Sequence, residues 1–158
     1  MTAQRTNAEG GRRIAVRNRK ARHEYHILET LEAGLVLRGT EVKSLRQGRA
    51  NLQDAFARFD RGELWLHNVH ISPYEQGSQF NHDPVRPRKL LLHSNQIRKL
   101  FGQVEQKGLT LIPLDIHFTR GKAKVDLALV KGKQKQDKRQ DLRQRDAQRE
   151  MERALKRG

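Results

Sequence analysis

Apolar positions along the chain repeat with two different periods, and the change from one to the other marks its elements. From Tyr25 to Leu37 the run YHILETLEAGLVL suits a long strand interrupted near Gly34, as at the corner of a barrel. Thr40 is then placed to cap a short helix whose Val42 and Leu45 share a face before Gly48 stops it. The runs DAFARF and ELWLHNVHI, separated by Asp60, Arg61 and Gly62, predict a β-hairpin. After the proline-punctuated HDPVRPRK comes RKLLLH, and Ser94 can cap a helix with Ile97, Leu100, Phe101 and Val104 on one stripe, ended by Gly108. Farther on, Ile112, Leu114, Ile116 and Phe118 alternate with Pro113, Asp115 and His117. Across the Arg120-Gly121 turn, Ala123, Val125, Leu127 and Leu129 alternate with Lys124, Asp126 and Ala128. That is a second hairpin with one wet face.

Antiparallel strands with one or two helices in roughly a hundred residues predict a mainly β fold. A small antiparallel β-barrel of OB type fits, and an open α+β sheet accommodates the same elements. Beyond Val130 the pattern fades into charge and glutamine. Leu142, Ala147, Met151, Ala154 and Leu155 form only a narrow helical stripe, so isolated disorder is expected, with helix forming on binding because no proline or glycine interrupts Lys133 to Arg157. A terminal helix docked on the body is the competing arrangement.

Charge sharpens this division. The net charge is +15 over 158 residues, with a pI near 10.9. Met1 to Arg22 hold seven basic residues and one acidic, and Lys131 to Gly158 hold eleven and five, while the middle is nearly balanced. A folded body with cationic arms is the pattern of a polyanion binder, nucleic acid ahead of an anionic membrane surface. The expected domains are a flexible basic arm at 1–17, a barrel at 18–131 and a basic tail at 132–158. No apolar run approaches the ~20 residues of a membrane span and the start lacks a secretory pattern, so a cytoplasmic protein is expected.

Candidate chemistry is sparse. With no cysteine, disulfides, thiolate metal sites and cysteine nucleophiles drop out. His67 and His70 are three apart on an expected strand and face opposite sides, and His82 and His93 lack ligand-spaced partners, so no metal or other cofactor is expected. Glu41, Asp54 and Asp83 carry no spacing that pairs them for acid-base work, which points away from an enzyme. For RNA, Asn18 to Tyr25 (NRKARHEY) mixes basic, amide and aromatic groups suited to phosphates and unpaired bases. His23 and Tyr25 are stacking candidates, Tyr25 equally an inward strand residue, and Trp65 is expected in the core.

Nine runs together are more specific than any one. They are NRKARHEY (18–25), EAGL (32–35), GTEVKSLR (39–46), HNVHISPYEQ (67–76), NHDP (81–84), RKLLL (88–92), GLTL (108–111), KGK (131–133) and DKR (137–139), and their order resembles the SsrA-binding protein (SmpB) family. The resemblance implies an OB-type barrel that binds the tRNA-like domain of transfer-messenger RNA. Its RNA contacts fall on Asn18, Arg19, Lys20, Arg22, His23, Glu32, Leu92 and Lys124. It also implies a tail that probes the empty mRNA channel near the ribosomal decoding centre, carried by Lys131, Lys133, Gln136, Asp137, Lys138 and Arg139. Implied partners are that RNA, the ribosome and elongation factor Tu travelling with the RNA, the chain itself acting as a monomer. Many relatives place His or Tyr where Gln136 stands, and a single ring stack is worth ~1 to 3 kcal/mol, so an altered contact is expected there. Deleting Gly132 to Gly158 is expected to spare RNA binding and abolish tagging. A structural ribosomal protein and an RNA-acting enzyme are the competing functions, but neither accounts for the motif series.

Overall fold

The computed structural model of the protein describes residues 12–74, 81–132 and 147–155. In chain order these form β1 (Arg12–Arg17), α1 (Ala21–Glu24), β2 (Tyr25–Leu35), α2 (Gly39–Arg46), β3 (Ala50–Asn51), β4 (Phe56–Asp60), β5 (Glu63–His67), β6 (His70–Ile71), β7 (Arg88–Leu91), α3 (Ser94–Lys107), β8 (Thr110–Thr119), β9 (Lys122–Gly132) and a helix α4 over 147–155. Seven strands run in the order β1-β8-β4-β5-β7-β2-β9, and β9 pairs with β8 as well, so the sheet closes into an antiparallel barrel. The fold is mainly β, of the barrel type expected. β1 joins the half of β8 that β4 leaves free, and β3 pairs with β6 beside the ring.

Gly34 lies within β2 rather than at its end and serves two partners there, Lys124 of β9 and Leu91 of β7. A Cβ at Gly34 would come within 3.1 Å of the Leu91 Cβ, so the close approach of two strands at this corner requires glycine. The first hairpin turns through Arg61 and Gly62, both at positive φ, which matches the right-handed twist of β4 and β5. The helix caps differ from expectation. Arg38, not Thr40, precedes α2, and its backbone N–H donates to Glu41; the Thr40 hydroxyl instead bonds the His82 ring. His93, not Ser94, caps α3, its N–H donating to Gln96, while Gly108 ends the helix in the left-handed conformation as predicted.

The interior holds Leu64, Leu66, Leu90, Leu111, Ile116, Val125, Leu127 and Leu129, closed at one end by Leu100 and Phe101 of α3. The expected single apolar face of β8 is divided. A bulge between Pro113 and Asp115 inserts one residue, so Ile112 and Leu114 join an outer cluster with Ala21, Ala128 and Val130, whereas Ile116 and Phe118 point inward. The face expected to be wet is only partly so: Asp115 and His117 are buried, held by Arg12 and Glu32, while Lys124 and Asp126 stay part-exposed. Trp65, expected in the core, shares a strand with Leu64 and Leu66 but takes the opposite face. It stands half-buried between Arg58 of β4 and Lys89 of β7.

Both basic ends are more structured than their composition implies. Arg12 to Arg17, placed by the sequence in a flexible arm, are a sheet strand held by pairing with β8 across a bulge between Ile14 and Val16 and by Ala15 and Val16 packing on the core. Within the tail, α4 docks on the body: Met151 is 1% exposed, Leu155 packs on the core, Ala154 lies over Gly62, and the Gln148 amide donates to Glu105 of α3. The stripe is too narrow to order the tail alone. Laid on a body already folded, it encloses one methionine, worth about 1.5–3 kcal/mol.

An ion cluster fastens α2 to β7. Glu41, fully buried, accepts from the Arg86 and Arg88 guanidinium groups, the latter at 2.7 Å, and from the Arg38 N–H at 2.7 Å. Burial alone would raise the Glu41 pKa, but these donors outweigh it and hold the carboxyl below its ordinary range. Arg88 also donates to the Val69 and Pro84 carbonyls, so its buried charge is fully bonded.

Candidate nucleic-acid interface

The segment from Asn18 to His23 forms one rim of the barrel. Leaving β1, the chain is pinned by the Asn18 backbone N–H donating to Leu114 O at 2.7 Å and its side-chain amide donating to Pro113 O at 3.0 Å. Both acceptors flank the β8 bulge. Ala21, 1% exposed, anchors α1 in the outer cluster, and Tyr25 packs half-buried against the same cluster. With Asn18 and Ala21 turned inward, Arg19, Lys20, Arg22 and His23 stand on the exposed side. Asn18 therefore fixes where the cations begin, with one N–H of its side-chain amide committed to Pro113 O. Tyr25 takes the inward role of its two candidate roles.

A charge network crosses the outer face of β1, β8, β9 and β2. His117, wholly buried, directs Nδ1 at Asp115 (2.7 Å) and Nε2 at Glu32 (2.8 Å). Two carboxylates accept from one ring, so the ring carries both protons. Burial pulls the His117 pKa down, yet the bonds to Asp115 and Glu32 outweigh it and the net shift is upward. Glu32 shifts the other way: burial raises it, and His117 and Lys124 more than compensate, so its pKa is lowered. Lys124 donates to Glu32 at 3.2 Å, and Arg12 bridges Asp115 and Asp126. Glu32, His117 and Asp126 lie close enough to share a metal ion, but Arg12, Lys124 and the imidazolium already supply the cations that these carboxylates need.

The register joins the two regions. Asn18 sits at Leu114, β8 pairs Asp115 with Asp126, and β9 pairs Asp126 with Glu32. Three strand spacings therefore separate Asn18 from Glu32 at one level, about 14 Å along the sheet. The structure thus brings Arg19, Lys20, Glu32 and Lys124 onto one side of the barrel. Leu92 belongs less to the surface. It packs partly buried on the core, and the β2–β7 register carried one step further puts it beside Ala33, while Leu91, 51% exposed, is the leucine open to solvent. Lys131 is exposed at the far end of β9, opposite His26. Lys133, Gln136, Asp137, Lys138 and Arg139 lie outside the described residues.

Sequence reasoning missed Arg12 and His117 as parts of this face. His117 was visible only as the polar member of an alternating strand, and nothing local announces that Glu32, 85 residues earlier, meets it. Of the other histidines, His67 stacks on Phe56 at 5.5 Å, with burial and Arg58 lowering its pKa, and His82 bonds Thr40 and the Ile71 carbonyl. These serve the fold.

A closed antiparallel barrel with a cationic rim and an ionic outer face defines a small β-barrel protein whose surface suits a polyanion. A family model described as SmpB protein matches residues 15–157, and the chain belongs to that family. It is 67% identical over 122 residues to the SsrA-binding protein of Desulforudis audaxviator (strain MP104C), covering 77% of this chain and 80% of that protein. With the SsrA-binding protein of Carboxydothermus hydrogenoformans it shares 61% over 127 residues, 80% of this chain and 85% of the relative. A solved structure described as "tmRNA-SmpB: a journey to the center of the bacterial ribosome" superposes with a TM-score of 0.65 at 56% identity, covering 85% of this chain and 94% of that one. Among the described residues no helix is long and apolar enough to cross a membrane.

Proposed function

We propose that this protein binds transfer-messenger RNA and carries it to stalled ribosomes in the cytoplasm, a binding role rather than a catalytic one. What carries the reading is membership of the SmpB family together with 56% identity to a chain whose structure is described with that RNA and the ribosome. In this reading Arg19, Lys20, Arg22 and His23 meet RNA phosphates and bases. Asn18 sets their position, and Glu32 and Lys124 meet the RNA beside Leu92. The elongation factor travels with the RNA rather than with the protein alone. Lys131, Lys133, Gln136, Asp137, Lys138 and Arg139 belong to the tail that enters the empty mRNA channel.

The docking of α4 shapes the test. Deleting 132–158 would also strip Met151 and Leu155 from the body, so the better variant is Asp137→Ala, Lys138→Ala, Arg139→Ala, which leaves α4 intact. Gel shift with the tRNA-like domain should be unchanged, and tagging of stalled chains on purified ribosomes should be lost. Equal loss of both would refute the division of labour. Failure of the parent protein to shift the RNA would refute the reading altogether.

A further inference from the structure

Among the described residues β1 is the terminal strand of the sheet, bonded to β8 on one side only. Its other edge faces the loop around Gly48 to Gln53, and between them runs a groove of about 670 Å³. Arg13, Arg17, Arg19 and Lys20 line it, with the amides of Asn51 and Gln53 on the opposite wall. Among the described residues that line it there is no carboxylate and no aromatic ring. A second groove of about 590 Å³, on the other side of Asn18, contrasts with it by carrying Glu24, Asp54, Tyr25 and Phe56. Four cations without a counter-charge hold a polyanion, and a wall without rings has no platform for bases. The unpaired backbone N–H groups of an edge strand add further donors for phosphate oxygens.

We propose that the groove between β1 and the Gly48–Gln53 loop is a track for the sugar-phosphate backbone of an RNA strand, read without regard to sequence, with Arg13 and Arg17 as its contacts. Arg13 and Arg17 are exposed and lie roughly 10–13 Å apart along the strand, so they address separate phosphates. Arg19 and Lys20 belong both to this groove and to the exposed rim, so one strand of RNA runs continuously from the rim into the groove. The inference rests on the RNA-binding reading above and extends the contact surface to residues outside the family motif runs.

The test compares the full-length protein with Arg13→Gln, Arg17→Gln in filter binding to the tRNA-like domain of transfer-messenger RNA over a series of KCl concentrations. Each phosphate contact contributes about 0.7–0.9 to the slope of log affinity against log salt, so losing two should make it shallower by about 1.4–1.8. Permuting the bases of the contacted strand should leave that difference unchanged. Because the chain has no cysteine, an iron chelate on Gln53→Cys reports the groove's occupant directly, and scission of the bound RNA is expected. An unchanged slope in a variant with parental circular dichroism, or an uncut RNA, overturns the proposal, as does capture of an extended polypeptide at the β1 edge with the RNA slope unaltered. If the parent protein itself fails to bind this RNA, the functional reading falls; if the parent binds and the variant matches it, only the track falls.

Discussion

Two glutamates sit at the centres of two ion clusters, and they are held in opposite ways. Glu41 is wholly enclosed, with Arg86, Arg88 and the Arg38 N–H around it, while Glu32 holds His117 and Lys124 with 42% of its side chain open to solvent. Both carboxyls titrate below their usual range, so the shift alone does not separate them. Burial does. An enclosed pair carries a large desolvation cost that only its partners offset, so losing a partner leaves a bare charge. An open pair exchanges its partners for water at small cost. The first kind of cluster locks a joint between elements, and the second leaves its groups available to an incoming ligand.

The sharpest way to break the comparison is Glu41→Gln, which leaves Arg88 buried with its charge uncompensated. Loss of about 3–5 kcal/mol is expected in denaturant titration, and Glu41→Leu with Arg88→Met should recover most of it, since removing both charges removes the penalty. A smaller effect is expected at His117. Its raised pKa means that its share of stability is complete below 6.5 and is lost as pH rises through the folded-state value. Glu32, being lowered, contributes above 4.5 and loses its share as pH falls. The melting temperature of His117→Asn should therefore trail the parent most between those limits, and the gap should close on the alkaline side. A constant gap across that range would show that the ring is not charged in the fold. The smallest effect is expected for Glu32→Gln, at most about 1 kcal/mol by the same titration. A loss as large as that of Glu41→Gln would erase the distinction between the clusters.

Regular periodicity made much of this fold legible. The stripe of Ile97, Leu100, Phe101 and Val104 declared α3, and Arg61-Gly62 declared the first hairpin. What stayed hidden depended on neighbours distant in the chain. β1 is a short strand flanked by arginines, and only pairing with β8 turns Ile14 and Val16 into sheet residues. Trp65 follows the parity set by Leu64 and Leu66, which face the core, so the largest side chain of the strand goes outward. α4 has too little apolar surface to declare itself, and the body supplies the rest of its environment. The candidate site divides likewise. Its exposed cations could be read from NRKARHEY, whereas the Glu32–His117–Asp115 contacts follow from strand register, which no local pattern carries.

The extra residue in β8 has a consequence for how much one strand can do. Side chains along a strand alternate with a fixed beat, so a single strand ordinarily assigns its odd and even positions to one surface each for its whole length. By slipping that beat by half a cycle at Leu114, β8 offers hydrocarbon to the outer cluster at its start and to the barrel interior at its finish, and shifts Asp115 and His117 to the surface where β9 and β2 supply their partners. Excising position 114 would set Pro113 and Asp115 next to each other opposite Leu127 and Asp126, so later residues would keep their faces, while the outer cluster would lose a leucine and Asn18 its carbonyl partner.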